Sequence, residues 1–222
     1  MGVIERIANR LRKGFTRPEE MGEYSAGYLP FLVRKKVGEL VAARPDRRLL
    51  EIGSGEGLFL AEISIKCPVM DVIGLEPWDE ILLKARKRLL EKGLKRIAIV
   101  KGISQSIPFR DESFEHVVCI NLFLNLPARK DMVETLSEMV RVCKKGGFIY
   151  FDFRNILNPL IYAGYKLAPL HDPYIKVPLR MNSLKDIKRI LKELGMKKIE
   201  HIGIGMPLGR FSPAIVVQGK KD

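Results

Sequence analysis

Residues Leu49–Leu60 read LLEIGSGEGLFL. An apolar run from Arg48 ends at Gly53, three glycines alternate at Gly53, Gly55 and Gly57, and helical spacing then runs on to Lys66. This is a buried strand, a tight loop and a helix start. Missing side chains let a ligand approach the backbone of such a loop, and the helix start offers N–H groups with no partner of their own. The spacing is G-x-G-x-G. A dinucleotide fold uses G-x-G-x-x-G, and Leu58 occupies the position of its last glycine. No Gly-Lys-Ser/Thr follows, so the loop is not a P-loop. The competing reading is a glycine-rich turn with no ligand.

The next strand bears on that choice. Met70–Glu76 (MDVIGLE) is apolar and ends in an acid. A strand-end carboxylate one unit after a glycine loop is placed to accept hydrogen bonds from two ribose hydroxyls. Taken alone, such a glutamate is usually just solvated.

Further outward the pattern alternates. Helices are expected over Leu29–Ala43, Gly57–Lys66, Asp79–Lys92 and Asp131–Cys143, from apolar residues at intervals of three and four. Asp79 is the expected cap of its helix and Gly93 its stop. Strands are expected at Arg48–Gly53, Met70–Glu76, Ile97–Lys101, His116–Asn121 and Phe148–Phe153. Strands alternating with helices imply a parallel sheet covered on both faces. Ser183–Leu194 then reads as a helix capped by Ser183 and stopped by Gly195. Two last runs, Lys198–Ile204 and Ala214–Gln218, can pair antiparallel at the sheet edge.

Composition limits the classes. The 222 residues, 46% hydrophobic and 29% charged, suit one globular domain with an appendage. No run approaches the ~20 apolar residues of a membrane helix, and no secretory signal opens the chain. Cys67, Cys119 and Cys143 lie far apart with no CxxC, which favours neither a zinc ribbon nor a disulfide scaffold and points to a reducing cytoplasm. The net charge of +13 favours acidic partners. It is uneven: residues 1–48 carry net +5, 49–110 net +2, 111–153 net −2 and 154–222 net +8. The excess sits on two flanks of a near-neutral centre. A lysine-rich surface of the thermophile kind would account for much of it.

The motifs, in order, resemble those of class I S-adenosylmethionine-dependent methyltransferases of the small-molecule, ubiquinone/menaquinone-biosynthesis type. Leu49–Leu60 resembles the first motif and Val72–Pro77 (VIGLEP) the acidic second-strand motif. Ile107–Val118 (IPFRDESFEHVV), Arg141–Phe151 (RVCKKGGFIYF) and Ser183–Met196 resemble later ones. The likeness spans residues 48–219. It implies an α/β, Rossmann-like, doubly wound seven-stranded sheet, mostly parallel with an antiparallel last strand. Residues 1–47 would form an N-terminal helical cap, and 48–222 the methyltransferase domain with a lid-like insert at about 154–182.

The resemblance also implies roles around S-adenosyl-L-methionine, with S-adenosyl-L-homocysteine as product. Glu51, Gly53, Ser54, Gly55 and Gly57 would hold its methionyl end and ribose. Glu76 would take both ribose hydroxyls, and Pro77 and Trp78 would lie near adenine. Gly102, Ile103 and Ser104 would face the adenine edge, and Cys119, Ile120 and Asn121 would line the methionyl group. Relatives often carry an acid for the adenine amino group where this chain has Ile103. Adenine is then left to apolar contact, backbone, or Ser104 and Gln105.

Methyl transfer is an in-line displacement in which placement does most of the work, so a general base need not be visible. The catalytic residue is unknown from sequence; His171 is the one candidate base, against its reading as a surface-loop histidine. His116 and His201 read as structural. Substrate contacts are expected from Tyr24, Tyr28, Asn125, Arg154 and Tyr174, with no metal. The partner is a small-molecule acceptor, and the protein a monomer or homodimer. Two other functions compete: an RNA methyltransferase clamping phosphates with its basic flanks, and a cofactor-binding module without transfer. Steep salt dependence would mark the first. No N-P-P-[YF] signature of nucleobase enzymes follows the fourth strand, where the residues are Asn121-Leu-Phe-Leu124.

Overall fold

A computed structural model describes residues 28–45, 47–163, 181–206 and 209–222. The described elements are α1 (Tyr28–Ala42), β1 (Arg48–Ile52), α2 (Leu58–Lys66), β2 (Asp71–Glu76), α3 (Asp79–Glu91), β3 (Ala98–Lys101) and β4 (Phe114–Cys119). They continue with α4 (Arg129–Val142), β5 (Cys143–Asn155), β6 (Met181–Asn182), α5 (Leu184–Glu193), β7 (Lys198–Ile204) and β8 (Ala214–Lys220).

The strands form one sheet in the order β3-β2-β1-β4-β5-β8-β7. β1, β2, β3, β4 and β5 run parallel. β8 enters antiparallel between β5 and β7. The seven expected strands are joined by β6, two residues that pair parallel with Arg154 and Asn155 at the end of β5. Chain order reverses between β1 and β4, and the crevice outside the strand ends at such a switch is where open α/β sheets bind ligands.

Both faces are covered. α4 and α5 bring Met132, Leu136, Met139, Ile187, Ile190 and Leu191 onto the face that holds Leu50, Ile52, Phe151 and Phe153. α1, α2 and α3 bring Val33, Val37, Phe59, Leu60, Leu82 and Leu89 onto the face that holds Leu49 and Tyr150. Alternation along a strand then places two acids and a cation. Glu51 follows Leu49 by two, and Asp152 and Arg154 follow Tyr150 by two and four, so all three lie on the α1 side. α1 is itself a layer of this packing, with Val33, Val37 and Val41 fully buried.

Two local expectations change. Asp79 does not cap α3: Trp78 holds the cap position with no side-chain cap bond, and the Asp79 carboxylate accepts from Lys101 Nζ at 2.5 Å. The acid instead sits in the first turn, where the helix dipole favours it. The helix expected over Asp131–Cys143 is not followed by a free turn at Lys144–Gly147, where two glycines after two lysines would read as a stop. It runs straight into β5 at Cys143, and the pairing with β4 slips between Phe114↔Cys143 and His116↔Phe148. Gly146 takes φ +74°, and a Cβ on Gly147 would lie 2.8 Å from the Glu115 carbonyl, so the bulge needs both glycines. The other end points hold: Ser183 Oγ accepts the Asp186 N–H, and Gly93 and Gly195 take φ +74° and +85°.

Candidate functional site

At the end of β1 the chain turns through Gly53, Gly55 and Gly57, at φ +67°, +51° and +73°. This left-handed region is easily reached only without a Cβ, which is why three glycines alternate here. Gly53 and Ser54 both donate their N–H to the Leu75 carbonyl, at 2.8 and 3.0 Å. The loop therefore lies folded over the end of β2. Space for it comes from Gly74, where a Cβ would stand 2.7 Å from Leu60 Cδ1 and 2.8 Å from Ser54 Oγ.

Glu76 closes β2 and is 4% exposed. Its Oε2 accepts the Gly55 N–H at 2.9 Å and its Oε1 the Trp78 N–H at 3.3 Å. Burial raises its pKa above the usual carboxylate value, against those two bonds. Each oxygen keeps lone pairs for further donors. Glu51 is as deeply buried, and burial pushes its pKa well up. The positive charge of Arg34 opposes this, while Glu62 and Glu76 add to it. Glu51 Oε2 and Ser54 Oγ have no hydrogen-bond partner although both are buried. Orphaned groups of that kind cost free energy unless something bonds to them. Two acceptor-capable atoms beside a glycine cradle fit a donor-bearing ligand such as the ammonium of a methionyl group.

Further along the crevice, Trp78 (67% exposed) ends the β2 side and Ile103 (52% exposed) the β3 side. Gly102 donates its N–H to the Glu76 carbonyl at 3.3 Å. Ser104 is not open to adenine: its Oγ accepts from Thr135 Oγ1 at 2.9 Å and donates to Gln105 Oε1 at 3.0 Å. Of the options the sequence left for adenine, the two exposed apolar side chains are the ones that face solvent. Pro77 is half-buried beside them.

After β4, Cys119 and Ile120 are buried. The Cys119 thiol is pushed well up by burial, with Asp152 and Glu51 adding to it, so it stays protonated. Asn121 adopts φ +56°. Its N–H donates to Asp152 Oδ1 at 2.6 Å, and Arg154 Nη2 donates to its Oδ1 at 2.9 Å. Arg154 Nη1 completes the ring on Asp152 Oδ2 at 2.8 Å. Asn125 is exposed and donates Nδ2 to the Asn121 carbonyl. Arg154 thus differs from the expected open acceptor contact. It is 5% exposed, with both terminal nitrogens engaged. Asp152 was not anticipated, although an acid and a base two apart at the end of FIYFDFRN mark a same-face pair.

Tyr28 is half exposed at the start of α1. Tyr24, His171 and Tyr174 lie outside the described residues. His116 is fully buried, ring-stacked on Phe148, and bonded through Nε2 to the Arg44 carbonyl. The three cysteines are unpaired and buried. Among the described residues no group of three or more His, Cys, Asp or Glu could hold a metal, and no helix is long and apolar enough to cross a membrane.

Known proteins share this architecture. Residues 50–151 match the family model described as "Methyltransferase domain". The ubiquinone/menaquinone biosynthesis C-methyltransferase UbiE of Ectopseudomonas mendocina is 29% identical over 173 residues, 77% of this chain and 64% of that protein. The phosphatidylethanolamine N-methyltransferase of Cereibacter sphaeroides is 33% identical over 126 residues, 56% of this chain and 59% of that one. The chain thus spans about three fifths of the length of these relatives. A crystal structure from Thermotoga maritima, described as a possible histamine N-methyltransferase, superposes with a TM-score of 0.66 at 19% identity. It covers 99% of this chain and 98% of its own, and it speaks for the fold alone. Motif order, fold and relatives agree: residues 50–151 match a methyltransferase domain, and the cofactor that this likeness implies is S-adenosyl-L-methionine.

Proposed function

We propose that this protein transfers a methyl group from S-adenosylmethionine to a small, amphiphilic acceptor, chiefly by holding the two in line. The observation that carries the reading is the pair of buried, unpartnered atoms, Glu51 Oε2 and Ser54 Oγ, beside a glycine loop that Glu76 ties down. Bound there, the cofactor supplies a methyl group on a sulfonium, already a good leaving group. Glu51 and Ser54 meet the methionyl ammonium, Glu76 orients the ribose, and Trp78 and Ile103 flank adenine. The ends of β4 and β5 bound the acceptor side. Cys119 holds its proton, and Asp152 is enclosed by Asn121 and Arg154, so neither acts as base or nucleophile. Rate enhancement then comes from proximity and alignment.

The acceptor class rests on two supports. The relatives are named for quinone biosynthesis and for phosphatidylethanolamine, and Leu157, Leu160 and Tyr162 stand exposed just beyond β5. Within this reading residues 1–47 form a cap, and the segment at about 154–182 an insert on the acceptor side. The test is transfer of labelled methyl onto fractionated metabolites, a lipid extract and total RNA. Label in an organic-soluble small molecule is expected; label confined to RNA would replace this reading with the polyanion one.

A further inference from the structure

We propose that Asp152 and Arg154 are positioning residues for the cofactor site, acting through Asn121 and Leu122 on the glycine loop. The inference rests on the S-adenosylmethionine reading above. It starts from a chain of contacts. Asp152 and Arg154 lie two apart on one face of β5, and each engages Asn121, one at its backbone N–H and the other at its side-chain oxygen. Together they hold Asn121 at φ +56°, a left-handed conformation that asparagine reaches more readily than most L-residues and that the two bonds fix here. The next residue, Leu122, leans over the glycine loop: a Cβ on Gly53 would stand 3.2 Å from Leu122 Cδ1. The backbone turn at Asn121 therefore sets where Leu122 sits, and Leu122 roofs the first glycine of the loop.

The other end of the chain is at the insert. Arg154 and Asn155 pair with Met181 and Asn182, and the Ile156 N–H donates to the Asn182 carbonyl at 3.2 Å, so the insert leaves and returns at the lock. Asn155 Nδ2 also donates to the carbonyls of Arg210 and Ser212. The buried ion pair thus joins the base of the insert to the loop that faces the cofactor. A buried pair of this kind gives little net stability; fixing one backbone geometry accounts for its place here.

The test is a double-mutant cycle read as affinity for S-adenosylhomocysteine by calorimetry, well below each variant's melting temperature. Arg154→Met and Leu122→Ala should each weaken binding by roughly five- to tenfold. Acting along one path, the double variant should lose no more than about tenfold rather than the product of the two. Asp152→Asn keeps an acceptor for the Asn121 N–H but loses the charge for Arg154. It should fall between wild type and Arg154→Met, and it serves in the cycle if Arg154→Met does not fold. Wild-type affinity in Arg154→Met, or losses that multiply, would overturn the lock; a merely structural role lowers the melting temperature and leaves affinity unmoved. If wild type itself binds no S-adenosylhomocysteine, the cofactor reading has failed first and takes the lock with it.

Discussion

Glu76 accepts the Gly55 N–H at 2.9 Å, so the acid at the end of β2 also shapes the loop at the end of β1. In the proposed function, ribose binding and loop geometry therefore share one side chain. Glu76→Ala should weaken S-adenosylhomocysteine binding by more than about tenfold, since it removes an acceptor and a loop restraint together. Glu76→Gln still accepts one N–H and should lose less. Calorimetry on both variants checks this, with NADH as the control that should not bind; equal losses would mean that loop restraint is irrelevant.

Glu51 carries an opposite pair of effects. Its folded pKa is raised by burial, so the stability this group contributes is fully present below its ordinary value and is lost as pH rises through the folded one. Once ionised, the buried carboxylate, with Oε2 unpartnered, is therefore a burden on the ligand-free protein. Glu51→Gln should stabilise the ligand-free form by about 1–2 kcal/mol while reducing the rise in melting temperature given by S-adenosylhomocysteine. Thermal melts with and without ligand test both halves.

His116 should make the fold acid-sensitive. Burial lowers its pKa to about 4, and the ring faces the charge of Arg44 and Arg47, with Glu115 opposing them. The depressed value belongs to a base, so the unfolded chain takes up the proton first. Stability is then full above about pH 6.5 and falls as pH drops toward about 4, by about 3 kcal/mol at most. His116→Asn keeps a donor for the Arg44 carbonyl without titrating. Urea melts at pH 7.5, 5.5 and 4.5 should show a smaller acid loss in the variant than in wild type.

Gly74→Ala should act at the site from inside a strand. The added methyl would meet Leu60 Cδ1 at 2.7 Å and Ser54 Oγ at 2.8 Å. Relief requires Leu60 and Ser54 to shift, and Ser54 belongs to the glycine loop. The expected cost is about 1–3 kcal/mol of stability together with weaker S-adenosylhomocysteine binding. An unchanged affinity would show that the loop can move without consequence.

The glycine loop and its tie to Glu76 were legible because their signals are local. Glycines at 53, 55 and 57 and an acid at 76 are sequence signals in themselves, and they mark backbone geometry directly. The ring of contacts at the ends of β4 and β5 was not. Asp152 and Arg154 meet Asn121 across about thirty residues of chain, and only strand pairing brings them together. A charged pair at the end of an apolar strand reads equally well as its exposed terminus. The Asp79 cap failed for another reason: cap and first-turn positions both favour acids, and composition cannot tell one residue of offset apart. The bulge at Gly146–Gly147 was not foreseen, because a glycine pair after a helix marks a stop equally well.

The position of β8 has a consequence for synthesis. Its seven residues each pair with β5 on one side and β7 on the other. A ribosome delivers them after the other described strands. Until residues 214–220 emerge, two long strand edges stand open at what will become the interior of the sheet, and Ala214, Ile215, Val216 and Val217 have no burial to offer. The nascent chain therefore passes through a stage with unpaired edges of the kind that invite self-association. Its yield in a cell should depend on how well chaperones shield those edges until β8 has emerged.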